Sequence, residues 1–158
     1  MKPLTRQVLL TLALLTAFVP AALASHYPLE AVPFIPDQER EALLKEKITD
    51  TQELLEAAKT EKQRKQLAKK TGIAEEVVLE YAQLCDLLRV RGIGPKMARL
   101  FRLSGVKTIE DLAKETPEAL APRIKETNAT HMVSEILPDE GSLKDWIHQA
   151  RSLGPFLK

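Results

Sequence analysis

The segment Arg91-Gly92-Ile93-Gly94-Pro95-Lys96 constrains the fold of this chain more than any other stretch. Two glycines flank one apolar residue, and a proline follows at once. Glycine reaches backbone angles that other residues reach only with strain, so the pair suits a tight turn between helices. Ile93 would plug the gap between those helices, and Ala98 would let them approach closely. Pro95 suits the first turn of the second helix, where its missing N–H leaves no bond unmade. At helical spacing Met97, Leu100, Phe101 and Ser104 then face a core, while Lys96, Arg99 and Arg102 face away.

The rest of the chain agrees with an all-α reading. Helical spacing recurs, strand alternation is almost missing, and Leu, Ala, Lys and Glu are abundant. The pattern predicts helices near residues 37–47, 51–58, 61–70, 74–90, 95–104, 109–114, 117–126 and 142–153. Thr108 with Asp111 and Ser142 with Asp145 have capping-box spacing, and Thr116 precedes Pro117 as a cap before a first-turn proline. Gly72 and Gly105 follow periodic stretches and are expected to close them. Helices this short are not stable alone, so packing must hold them. A weak internal duplication is also visible at a shift of 58 residues, which sets Ile35-Pro36 on Ile93-Gly94, Leu43 on Phe101, Ile48 on Val106 and Leu54 on Leu112. With a small gap, Lys70-Thr71-Gly72 matches Glu126-Thr127-Asn128, and the helix of Tyr81 matches that of Trp146. In the first copy Phe34-Ile35-Pro36 stands where the second has its glycines. The fold expected is a compact bundle of short helices built from duplicated helix-hairpin-helix (SAM-like) units, with copies at about 37–86 and 87–158.

Residues 1–24 read as a secretory signal peptide: Lys2 and Arg6, an apolar run from Val8 to Leu15, and the ending Ala22-Leu23-Ala24. Pro20 and that small-residue ending favour cleavage over a retained anchor. The expected product is exported, periplasmic or extracellular, and not an integral membrane protein. With the signal gone, 21 basic residues face 22 acidic ones, a net charge of −1, so bulk charge selects no partner. The remaining length suits one ordinary domain. A lone cysteine, Cys85, excludes an internal disulfide framework, and its place in the pattern Val77, Val78, Tyr81, Ala82, Leu88 makes it a core residue. Residues 25–36 form a lead-in with three prolines that either tethers the domain or packs on it.

Chemistry gathers at the turn. Its geometry is expected to leave the amides that follow Gly92 and Gly94 pointing outward at a helix N-terminus, where free donors and the helix dipole favour an anion. Between Asp86 and Glu110 stand Arg89, Arg91, Lys96, Arg99, Arg102 and Lys107 with no acid, a local charge of +6. A phosphate backbone suits such a surface, bound without regard to sequence. The candidate nucleic-acid-binding set is Arg91, Gly92, Ile93, Gly94, Lys96, Arg99 and Arg102. Lys59, Lys62, Arg64, Lys65, Lys69 and Lys70, against Glu61 alone, would widen it.

These residues resemble the tandem helix-hairpin-helix domains of uncharacterised function found mainly in bacteria. The likeness runs from Ile48-Thr49-Asp50-Thr51 through Lys70-Thr71-Gly72-Ile73, Asp86 to Gly94, Gly105-Val106-Lys107-Thr108 and Thr116-Pro117-Glu118 to Trp146-Ile147. It implies a helical fold with paired hairpins and a nucleic-acid connection, without a reaction or substrate. Gly92-Ile93-Gly94-Pro95-Lys96, Ala98 and the export signal also resemble the exported helix-hairpin-helix DNA receptor of bacterial competence systems. That receptor's second glycine-bearing hairpin is matched only in part, by Thr71-Gly72-Ile73.

Other chemistry is sparse. His26, His131 and His148 lack ligand spacing, so no metal or cofactor is expected. Glu75-Glu76 and Asp139-Glu140 sit at a helix start or in a turn, where negative charge needs no catalytic reason. No nucleophile motif, P-loop or dinucleotide fingerprint is present. Trp146, at apolar spacing with Leu143, Ile147 and Ala150, is expected to anchor the last helix; Asn128-Ala129-Thr130 is a glycosylation sequon. Two readings follow: a non-enzymatic exported protein holding duplex DNA or another polyanion, or an envelope interaction module with the same fold and no nucleic-acid affinity. A basic face continuous across the two stretches would favour the first, and acidic helices interrupting it the second.

Overall fold

Side-chain caps start five of the eight helices, two of them where the sequence marks them. Thr108 and Asp111 close a reciprocal capping box, and Thr116 accepts from the Ala119 amide ahead of Pro117. Thr60 and Gln63 make a second box that the sequence reading does not single out. In the computed structural model, which describes residues 26–158, there are eight α-helices and one 3₁₀ turn, and no named strand among the described residues. The helices are α1 (Asp37–Lys45), α2 (Thr51–Ala57), α3 (Glu61–Thr71), α4 (Glu75–Leu87), α5 (Pro95–Leu103), α6 (Ile109–Ala113), α7 (Pro117–His131) and α8 (Glu140–Leu153). The expected signal peptide lies outside the described residues. Among the described residues, no helix is long and apolar enough to cross a membrane.

Four boundaries differ from expectation by two or more residues, and two of these are the earlier ends of α1 at Lys45 and of α4 at Leu87. Helix α8 begins at Glu140, because the Asp139 carboxylate takes the Ser142 amide at 2.7 Å; Ser142 is inside the helix and does not cap it. A carboxylate is the stronger acceptor at a helix start, and the charge also suits the dipole there. Helix α7 runs past Glu126 to His131 and ends on Met132, with φ +47°. Asn128 makes that ending possible: its Oδ1 accepts from the Val133 and Ser134 amides at 3.0 and 2.9 Å, and its Nδ2 donates to the Ser134 carbonyl. Lys70-Thr71-Gly72 ends a helix, whereas Glu126-Thr127-Asn128 lies within one, so the gapped match between them does not hold at the level of helix ends.

The lead-in packs on the domain. Leu29, Val32 and Ile35 are buried, Thr51 donates its amide to the Tyr27 carbonyl at 2.9 Å, and Leu29 donates to Thr49 at 3.0 Å. Its hydrogen bonds recur 58 residues later. Ile35 donates to Val32 as Ile93 donates to Val90, and Val32 donates to Leu29 as Val90 donates to Leu87. Ile48 closes α1 by donating to Leu43, as Val106 closes α5 by donating to Phe101. Lys47 takes the left-handed angle at the first closure (φ +63°) and Gly105 at the second (φ +89°). Packing has the same rhythm: α4 lies on α2 and α3 as α8 lies on α6 and α7, and α1 meets α3 as α5 meets α7.

The core forms two clusters joined along α4. Val78, Tyr81, Ala82 and Cys85 face the first, with Leu43, Leu54 and Leu67; Leu84, Leu87 and Leu88 face the second, with Phe101, Leu112 and Ile147. Cys85 is a buried free thiol, and burial pushes its pKa up. Asp86, also on α4, is only 1% exposed. Its two oxygens accept from the Ile109 amide, the first of α6, at 2.9 Å and from Arg89 at 2.8 Å. Burial pushes its pKa up, against the lowering effect of those two donors. Removing one partner of a buried pair strands the other. Asp86→Ala is therefore expected to cost about 3 kcal/mol or more of unfolding free energy in urea titration, and Asp86→Asn less, since it keeps an acceptor for Ile109. Small, equal losses would mean that this carboxylate does not join α4 to α6.

Candidate functional site

The turn between α4 and α5 is held mainly from α8. Gln149 grips the Arg91 backbone from both sides, accepting from its amide at 3.0 Å and donating to its carbonyl at 3.2 Å. Ile93 is fully buried beneath the turn, as is Ala98 one turn into α5. Gly92 has φ +96°, and a Cβ added there would lie 2.7 Å from Nε1 of Trp146. Glycine is needed at 92 twice over, for its angle and for this approach. Trp146 is half-buried and meets Phe101 edge-on at 5.8 Å. Its contact with Gly92 could not be read from spacing, because it joins two ends of the second half.

Gly94 corrects the expectation of a paired glycine requirement. Its φ of −89° and ψ of 173° are ordinary extended values, and a Cβ there would meet only the Tyr27 hydroxyl, at 4.0 Å. The amides expected to face an anion are also not those following the glycines. Ile93 donates to the Val90 carbonyl at 3.1 Å, and Pro95 has no N–H. The uncapped donors belong one residue later, to Lys96 and Met97 in the first turn of α5, where no side chain caps the helix.

The charge is likewise narrower than the sequence implies. Lys96 and Arg99, one turn apart on α5, are exposed, as are Arg91 and Lys107, and none of the four forms an ion pair among the described residues. Arg102 does not face away: it is half-buried and pairs with Glu80 of α4 at 3.0 Å. Arg89 is spent on Asp86 and lies near the Phe156 ring, 5.0 Å from its centroid.

On α3, Arg64 is buried and donates to the carbonyls of Ala58, Lys59 and Lys158. Lys65 pairs with Glu61, Lys70 with Glu46, and Lys59 rests over Phe156 at 4.2 Å. Lys62 and Lys69 remain exposed. Helices α3 and α5 each pack on α4, which carries Glu75, Glu76 and Glu80.

No group of His, Cys, Asp or Glu among the described residues is arranged to hold a metal. His26, His131 and His148 are exposed. A cavity of about 600 Å³ lies between the starts of α7 and α8, with Glu118, Lys144, Asp145 and His148 on its walls. It mixes both signs of charge. Two large apolar side chains of the α7–α8 connection, Met132 and Ile136, are 85% and 80% exposed.

The sequence of residues 33–153 matches the model of a domain of unknown function, DUF4332, and the chain belongs to that family. No curated protein and no solved structure matches it.

The two glycines should separate in mutagenesis. Gly92→Ala must adopt a left-handed angle and displace the Trp146 indole, a loss of about 1–3 kcal/mol in chemical denaturation. Gly94→Ala is expected to change stability by no more than about 0.5 kcal/mol. The opposite ranking would mean that the turn is not held against α8 in this way.

Proposed function

We propose that this chain is an exported, non-catalytic helix-hairpin-helix protein that holds duplex DNA, or another polyanion, by its phosphate backbone and without regard to sequence. The observation that carries the reading is the pairing of Lys96 and Arg99, exposed on one face of α5 and taking part in no ion pair among the described residues, with the uncapped amides of Lys96 and Met97 beside them. Arg91 stands next to them, on a backbone fixed by Gln149. Oriented amides and fixed cations at a helix N-terminus favour a phosphate oxygen. The hairpin reading draws on Gly92, Ile93 and Ala98, and the duplicated unit on the hydrogen bonds that recur 58 residues apart. In this reading Gly92 and Ile93 shape the turn, Gly94 leads into α5, and Arg102 acts through Glu80 and not as a direct phosphate ligand.

A second reading, an envelope interaction module, draws on Met132 and Ile136, whose exposure is unusual for large apolar side chains. The acids of α4 beside both basic stretches also favour it, since they limit any basic face to the α5 side.

Titration of the purified protein against labelled duplex DNA at several salt concentrations tests the first reading. Three contacts, from Arg91, Lys96 and Arg99, predict a slope of log affinity on log salt near −3, at about −0.9 per phosphate. The Lys96→Glu, Arg99→Glu double variant should lose about 1–3 kcal/mol per contact, while Lys62→Glu on α3 should change little. No binding at low salt would remove the duplex reading.

A further inference from the structure

We infer that the cavity beside the α5 cations receives an unpaired base, so that the favoured ligand of this face is a single strand and not a duplex. This rests on the backbone-binding reading above and specifies its substrate. The cavity, about 310 Å³, lies where the lead-in meets α4 and α5. It is at the small end of ligand sites, which span roughly 300–1,000 Å³, with room for one base and none for a paired helix. Phe34, Leu84 and Leu103 give it apolar walls, and Glu80, Arg99 and Arg102 give it polar ones.

Three features suit one nucleotide. The polar walls sum to a single positive charge, the complement of one phosphodiester, and Arg99 is shared with the exposed face that carries Lys96. Phe34 is only half-buried and supplies an aromatic wall, the usual platform for a base freed from its stack. Arg102 is half-buried and pairs with Glu80 through one terminal nitrogen at 3.0 Å; its guanidinium can donate to a base carbonyl or ring nitrogen, and Glu80 can accept from an exocyclic amine. A paired base keeps its faces in the stack and offers nothing to Phe34, whereas a strand lying over Lys96 and Arg99 can turn one base inward.

Binding of the purified protein to an intact single strand, an abasic strand and a duplex, each of about a dozen nucleotides and at matched salt, tests this by fluorescence anisotropy. The intact strand should bind about tenfold more tightly than the abasic strand, which keeps the phosphates and lacks the bases. Phe34→Leu should remove that advantage and leave abasic binding unchanged. Because Phe34 also touches both core clusters, Leu103→Glu, at an exposed rim position, serves as the second variant and should remove it too. Lys96→Glu should weaken all three ligands together. Equal binding of intact and abasic strands would overturn the base pocket while leaving the backbone reading in place. Failure of all three to bind would overturn both. Capture of a short peptide ending in leucine, lost in Phe34→Leu, without discrimination between strands would give the cavity to a peptide carboxylate and overturn the inference.

Discussion

A buried carboxylate between two helices is the interaction on which the second half of the molecule depends. Asp86 ends no helix and caps none in its own segment, yet its oxygens satisfy the first amide of α6 and the guanidinium of Arg89. Arg89 in turn donates weakly to the Gly154 carbonyl, at 3.4 Å, past the end of α8. One residue thereby ties α4 to α6 and, through Arg89, to the segment past α8. The first half solves the same problem without a charge: the first amide of α2, Thr51, is taken by the Tyr27 backbone carbonyl. A carboxylate withdrawn from water is retained only where its donors are fixed, and here they are a helix N-terminus and a half-buried arginine.

The turn that stands out in the sequence depends on this arrangement from outside. With α6 held, α8 lies across it, and Gln149 and Trp146 reach the Arg91–Gly92 backbone from there. The turn is therefore less an independent motif than a loop gripped by a helix more than fifty residues away. The same packing redistributes the basic residues. Arg64, Arg89 and Arg102 are drawn into the structure as donors, and Lys65 and Lys70 are matched by acids, so a run of charge in the sequence becomes a small exposed group around Lys96 and Arg99.

Much of the fold is legible in the sequence because its signals are local. Thr108 with Asp111, Thr116 before Pro117, and Gly72 and Gly105 after apolar periods each act within a few residues of where they stand. The misreadings have equally local causes. Asp139 outcompetes Ser142 because a carboxylate accepts more strongly than a hydroxyl, and Asn128 carries α7 onward by bonding the loop beyond it. Periodicity does not reveal that Asp86 is buried or what satisfies it, and it marks Trp146 as a core anchor without saying that it rests on Gly92.

By itself the sequence determined the helices, the caps at Thr108 and Thr116, the buried Ile93 and Ala98, and the exposure of Lys96 and Arg99, because each follows from spacing along one helix or across one turn. Tertiary structure alone decided that Gly92 and not Gly94 requires glycine, that Arg102 belongs to Glu80, and that the lead-in is part of the packed domain. Those outcomes depend on which helix lies against which. A side chain's charge is written in the sequence, but whether that charge is spent inside the fold or offered to a ligand depends on the partners that folding brings to it.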